Sequence, residues 1–251
     1  YVSPNKNLDL MRSHHFVVGY DYKINEFTRI KAEAYYQSIT KAGVDKAKAS
    51  TYSILNEGAD FGVWAPDYLK STGTGHNYGV ELTIEHFLNK GFYFLITTSI
   101  FDSKYKGSNN IENNTAFNNN FITNGLIGKE FKFGSKSGKS TKSLSVDIKT
   151  TYAGGKRATD WVGVLLPNNE YDQVFNDNKA YSLKLKDYIR TDFRVAFKMN
   201  KLGFTQEWGI EITNLFDNQN VYSNKFNKQT GLGSNTYQLG FMLIPQYRII
   251  F

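Results

Sequence analysis

The chain ends on the stretch YQLGFMLIPQYRIIF, and its alternation limits the fold more than any other feature. Tyr237, Leu239, Phe241, Leu243, Pro245, Tyr247, Ile249 and Phe251 share one parity. Gln238, Gly240, Met242, Ile244, Gln246, Arg248 and Ile250 share the other. A period of two belongs to a β-strand, whose successive side chains point to opposite faces. One face is apolar along its whole length, and the stretch exceeds the about 5–6 residues usual for a soluble strand. What that apolar face meets, water, protein or lipid, depends on the rest of the chain.

The same period recurs upstream. SHHFVVGYDYKI (Ser13–Ile24) sets Phe16, Val18, Tyr20 and Tyr22 on one face, and a tight Asn25-Glu26 turn leads into TRIKAEAYYQSI (Thr28–Ile39). After a long polar stretch to about Gly75, NYGVELTIEHFL (Asn77–Leu88) places Tyr78, Val80, Leu82 and Ile84 opposite Glu81, Thr83 and Glu85. An Asn89-Lys90-Gly91 turn precedes FYFLITTSIF (Phe92–Phe101), apolar on both parities, whose faces stay unassigned. Asn120–Phe133, Ser143–Tyr152, Tyr188–Met199 and Phe204–Phe216 complete the series, for nine expected strands with the terminal one.

Connections alternate between short turns and long loops, and charge accumulates on one parity only. Strands of about 10–14 residues match the roughly 9–11 that a tilted membrane strand needs. Short turns at one end and long loops at the other are the asymmetry of an outer-membrane β-barrel. A soluble β-sandwich shares the alternation, with the charged face outward. Length, loop asymmetry and aromatic content favour the antiparallel transmembrane β-barrel. Complete bacterial single-chain barrels have even strand numbers, so nine strands read as the C-terminal part of a larger barrel.

Composition removes other classes. There is no Cys among 251 residues, which excludes disulfides and thiolate metal sites. Mean hydropathy is −0.46, and no apolar run reaches the roughly 18 residues of a membrane helix. A net charge of +7 is spread over turns, loops and one strand face, without the compact basic patch of a nucleic-acid binder. GSKSGKS (Gly134–Ser140) has three residues between its glycines, where a phosphate loop needs four; it reads as a hairpin turn. GTGHNYG (Gly73–Gly79) misses the dinucleotide spacing and leads into a strand. His14 and His15 are adjacent, so a strand sends them to opposite faces and they cannot share a metal. His86 falls on the apolar parity near a short turn, an interfacial position. No nucleophile–histidine set is visible, so no enzymatic chemistry and no cofactor is expected.

Several stretches together resemble one family. The final strand with its terminal Phe251 resembles the C-terminal signal read by the outer-membrane assembly machinery. IEITNLFDNQNVYSNKF (Ile210–Phe226) is similar to the NLFD strand-and-loop near the end of TonB-dependent receptors. STGTGHNYGVELTIEHFLNKGFYFLITTSIFDSKYKGS and RSHHFVVGYDY resemble barrel strands of the receptors that carry an N-terminal carboxypeptidase-regulatory-like domain. The resemblance spans essentially the whole chain. It implies part of a 22-stranded transporter of the bacterial outer membrane, importing a ligand through a plugged lumen. The plug and the TonB-contacting box would lie outside this sequence. Implied partners are outer-membrane lipid, the barrel-assembly machinery, the TonB complex through the missing part, and a surface lipoprotein over the barrel. A non-transporting outer-membrane barrel, serving as structural, adhesion or complex-partner subunit, is the alternative.

Three sets of candidate residues follow. Phe251, Ile249 and Tyr247 form the expected assembly signal. Glu81, Glu85, Asp147, Lys149, Arg190, Asp192, Arg194, Glu207, Glu211 and Arg248 would point into the lumen, as a structural network that docks the plug or as a substrate path. Unpaired burial of such charges costs several kcal/mol, so partners or water are required. Trp64, Tyr68, Trp161, Tyr171 and Phe175 lie in polar loops and suit ligand or partner contact, or packing of the loops on themselves.

Overall fold

The computed structural model describes residues 5–47, 49–58, 65–134 and 140–251. Nine strands form one antiparallel sheet in which each pairs with its neighbours in sequence. They are β1 (Arg12–Asn25), β2 (Thr28–Asp45), β3 (Leu69–Asn89), β4 (Phe92–Lys106), β5 (Phe121–Gly134), β6 (Ser140–Ala153), β7 (Tyr188–Lys201), β8 (Phe204–Thr213) and β9 (Met242–Ile250). A short strand, Glu112–Asn114, adds to the upper end of β4. Among the described residues β1 and β9 pair on one side only and form the two edges. No helix among them is long and apolar enough to cross a membrane.

The connections follow the expected asymmetry. At one end Glu26-Phe27, Lys90-Gly91 and Leu202-Gly203 make two-residue turns. The first lies one residue beyond the expected Asn25-Glu26. Lys90 and Gly91 both take positive φ (49° and 78°), which matches the twist of a hairpin. Gly134 pairs with Thr141, so GSKSGKS joins two antiparallel strands; the residues between, 135–139, lie outside the described ones. At the other end run the loops 46–68, 107–120, 154–187 and 214–241.

Several expected boundaries change. β4 runs on to Lys106, β2 runs on to Asp45 and β3 begins at Leu69, so both ends of the polar stretch before Gly75 are strand. Its glycines explain how: a Cβ at Gly73 would lie 2.4 Å from Val44, and one at Gly75 would lie 2.7 Å from Leu55. The bare backbone lets those two side chains rest on the sheet. β8 stops at Thr213, before Phe216, because Asn214 turns into the left-handed region (φ 50°). The terminal strand starts at Met242, not Tyr237. Tyr237 ends a separate loop hairpin, Val221–Phe226 with Gly233–Tyr237. The Gln238 amide bonds the Asn220 carbonyl and the Phe241 amide bonds Asp217, which holds 238–241 off the sheet. Pro245 sits on the edge strand β9, where a missing N–H is tolerated.

Register assigns the two faces. Ile84 pairs with Ile96 and Val80 with Ile100, so the even positions of β4 continue the apolar face and Tyr93, Leu95, Thr97, Ser99 and Phe101 join the charged one. The apolar face is uncovered: Val80 is 54% exposed, Ile100 59% and Ile210 51%. The charged face is mostly half-buried beneath its own long side chains. The fully buried core is small and sits at the long-loop end, where Ala42, Val44 and Tyr105 pack under loop residues. There the Tyr105 hydroxyl bonds the Thr51 carbonyl at 2.8 Å and Ser53 caps the single turn Ile54–Asn56. A soluble sandwich would cover the apolar face with a second sheet; among the described residues no such sheet exists.

Aromatic rings form two rows on the apolar face. Near the short turns His86 stacks on Phe94 (5.5 Å) and Trp208 lies between Phe197 and Tyr247 (6.0 and 5.6 Å). Toward the loops His76 stacks on Tyr78, and Phe121 meets Tyr152 at 5.0 Å. Tyr78 and His86 are about 26 Å apart along β3 at ~3.3 Å per residue.

Candidate functional site

All ten charged candidates fall on the charged face, but they divide into separate clusters. The densest surrounds Arg194 of β7. One guanidinium nitrogen lies 2.6 Å from Glu207 on β8, and another lies 3.5 Å from Asp147 on β6. Tyr93 of β4 donates its hydroxyl to the same Asp147. Asp147 and Glu207 are 12% and 14% exposed and Arg194 30%, so a single cation compensates two carboxylates that water barely reaches. Gly128 on β5 makes this geometry fit, because a Cβ there would collide with both Tyr93 and Asp147.

A second cluster closes the long-loop end. Arg190 bonds Asp192 at 2.7 Å, and the same carboxylate accepts the Asn214 backbone amide at 2.9 Å. Asn214 is buried; its carboxamide donates to the Asn218 and Leu239 carbonyls and accepts from the Asn218 amide. Asn220 likewise bonds both backbone groups of Ile189. NLFDNQN is thus a knot tying the loop 214–241 to β7 and β8. Replacing Asn214 by Ala removes three such bonds from a buried side chain, an expected loss of about 2 kcal/mol. Urea unfolding of the folded protein in detergent checks this, and Asn214→Asp is expected to retain part of the loss.

The third cluster joins β1, β2 and β3. Arg29 reaches Glu85 at 2.8 Å and Asp21 at 3.6 Å. Lys31 reaches Glu33 at 2.6 Å. Glu211 accepts from Gln246 at 2.9 Å. Among the described residues Glu81, Lys149 and Arg248 have no ion pair within 4 Å, although Lys149 stands opposite Asp192 and Arg248 opposite Glu207. Sequence reasoning missed Tyr93, Asp21, Arg29, Lys31 and Glu33 as members of these clusters. Only for Tyr93 was the signal absent: the apolar composition of β4 on both parities hides its face.

The loop candidates separate by packing. Trp161 meets Phe226 edge to face at 4.9 Å, and Tyr171 lies against Gly231, its amide bonding the Lys228 carbonyl. These two rings join the hairpin Trp161–Leu165/Tyr171–Phe175 to the hairpin Val221–Phe226/Gly233–Tyr237. Tyr68 and Phe175 are exposed. Trp64 lies outside the described residues. At the terminus Tyr247 and Ile249 point to the apolar face, and Phe251 lies beyond β9, fully exposed. His14 and His15 occupy opposite faces as expected. Among the described residues no cluster of three or more His, Cys, Asp or Glu has metal-holding geometry.

A carboxylate clamps the loop 154–187. Asp187 accepts the Gly155 amide at 2.9 Å and pairs with Lys184 at 3.1 Å. The Gly155 amide first, and Lys184 next, hold its carboxyl below the usual aspartate value of 3.8. A depressed folded-state value means that the contribution is complete above about pH 3.8 and fades as pH falls through the folded value. Limited proteolysis between pH 5 and pH 2 is expected to show this loop opening in acid. Asp187→Asn should already be open at pH 5 and change less with pH.

The sheet also carries a cavity of about 510 Å³ on the charged face of β1–β4, roofed by Leu55 and Phe117 from the loops. Compared with protein-family models, curated proteins and solved structures, the chain matches none of them.

Proposed function

We propose that this chain is wall and loops of an outer-membrane β-barrel that imports a ligand in a TonB-dependent manner, acting as part of a larger receptor and not as an enzyme. The observation that carries the membrane part is the uncovered apolar face. Fully burying one Val, Leu, Ile or Phe is worth about 1.5–3 kcal/mol. Ten such side chains left half exposed to water would forgo roughly 10 kcal/mol, comparable with a whole domain's net stability. Lipid removes that cost, and the two aromatic rows suit its two interfaces. Short turns at one end and long loops at the other support the same membrane-spanning reading. The unpaired edges β1 and β9 favour further wall strands beside them, because long free edges invite aggregation.

The importing role rests on the family resemblance and on the half-buried, charge-lined face, which suits a plugged lumen. Its test is membrane fractionation of the full-length gene product, followed by co-purification with the periplasmic domain of TonB. Recovery in the outer membrane with specific TonB capture is the expected result. Outer-membrane recovery without capture would assign the barrel to a structural, adhesion or complex-partner role.

A further inference from the structure

The cavity on β1–β4 has a composition that selects among ligands. Its upper polar rung is closed on itself. Gln37 bonds Ser13, Asn77 bonds Gln37 at 2.7 Å, Ser103 bonds Asn77 at 2.5 Å, and Thr115 bonds Ser103 at 2.8 Å. These groups spend their hydrogen bonds on one another and offer little to a polyhydroxylated ligand. Below the rung Tyr35 and Phe101, and from the roof Phe117, supply apolar and aromatic wall. His15 meets Tyr35 edge to face at 6.0 Å. Gly79 stands beneath Tyr35: a Cβ there would lie 2.9 Å from its hydroxyl.

Two carboxylates face this space. Glu33 and Glu81 stand directly opposite each other across β2 and β3, a like-charge pairing that is ordinarily destabilising. Lys31 compensates Glu33. Among the described residues Glu81 has no ion pair and is left with the Ser99 hydroxyl at 3.5 Å; Lys104 also lines the cavity, but its ammonium is held by Asn114 at 2.5 Å and Asp102 at 3.7 Å. The cavity volume lies within the about 300–1,000 Å³ usual for small-molecule sites. Aromatic walls attract both an apolar body and a cation lying over a ring face.

We propose that this cavity binds the imported ligand through an ammonium or guanidinium group on Glu81, with the ligand's apolar body between Tyr35, Phe101 and Phe117. That the ligand is an imported one rests on the function proposed above; the binding chemistry stands on the cavity alone.

The test uses full-length protein folded in detergent and two fluorinated probes of the same shape, 2-(4-fluorophenyl)ethylammonium and 2-(4-fluorophenyl)ethanol. Affinities are read by fluorine NMR titration. The ammonium is expected to bind about tenfold more tightly than the alcohol, a difference of about 1.4 kcal/mol. Glu81→Gln should abolish that preference while leaving the alcohol unchanged, and Phe117→Ala should weaken both. Raising salt from about 0.05 to about 0.5 M should weaken the ammonium alone, which tests the charge without any substitution. Equal affinity for the two probes, no binding of either, or a preference that survives Glu81→Gln would overturn the proposal. An intact preference in a protein that fails to capture TonB would overturn the import reading and leave the site standing.

Discussion

Leu82→Arg is expected to destabilise the folded protein in a bilayer by about 2–4 kcal/mol, the cost of a cation at the lipid-facing midplane of a barrel. Leu82 lies midway along β3 between the aromatic rows at Tyr78 and His86, paired with Ala32 on β2 and Thr98 on β4. Those neighbours offer no carboxylate. The long arginine side chain would have to snorkel past about four residues of strand to reach an interface. Thr97→Arg provides the control, because Thr97 has the same height on the charged face beside Thr83 and Asn124. It is expected to cost under about 1 kcal/mol, the range of ordinary surface changes. Urea titration in liposomes, read by heat-modifiable gel mobility, measures both. A soluble sheet gives the opposite result for Leu82→Arg, with better solubility and little loss. Lys129 shows how the wild-type chain handles a cation on this face: it sits near a short turn, and its ammonium approaches the Lys90 carbonyl at 3.4 Å.

Arg194→Met is the second large effect. It deletes the cation that pairs with both Asp147 and Glu207 and leaves two carboxylates in mutual repulsion. Removing one partner of a fully buried pair costs about 3–5 kcal/mol. Partial hydration of Arg194 lowers the expectation to about 2–3 kcal/mol. Neutralising the orphaned acids in the same chain, as Arg194→Met with Asp147→Asn and Glu207→Gln, should recover about half of that loss. Recovery follows because the penalty belongs to uncompensated charge and not to packing. A triple variant as unstable as the single one would mean that Arg194 acts through its contacts alone. Arg194→Lys should fall between, since an ammonium cannot serve both carboxylates with a planar fork.

How far the sequence led depends on what each strand had to hide. Where one face is apolar and the other charged, as in β1, β2, β6 and β7, alternation alone placed every side chain on its face. Phe193, Val195 and Phe197 against Arg190, Asp192 and Arg194 is the clearest case. β4 defeated that method because Phe92, Tyr93, Phe94 and Leu95 are large and apolar on both parities, and only pairing with Ile84 and Val80 fixes the register. The terminal stretch misled in another way. Its parity holds from Tyr237 to Phe251, yet hydrogen bonds with Asn214, Asp217 and Asn220, distant in sequence, remove 238–241 from the strand.

The charged face was legible as a set but not as clusters. Sequence parity assigns Arg194, Asp147 and Glu207 to one side of the sheet. It does not say that strand stagger brings these three together and leaves Glu81 outside the ion pairs of the described residues. The cavity was invisible for the same reason. Its roof comes from loops, and its room comes from glycines whose role is the absence of a side chain. Gly73, Gly75 and Gly79 looked like a failed nucleotide motif, and their function is to let Val44, Leu55 and Tyr35 lie close against the backbone.

The central claim is that the apolar face meets lipid, and these 251 residues contribute no cysteine that would compete with an introduced label. Single cysteines at Leu82 and Thr97, labelled with an environment-sensitive fluorophore, place one probe on each face at the same height. The full-length protein is then folded into bilayers containing phospholipid brominated in its acyl chains, which quenches only at contact. Strong quenching at Leu82 with little at Thr97 is the predicted result. Equal quenching at both sites, or none at Leu82, would contradict the account.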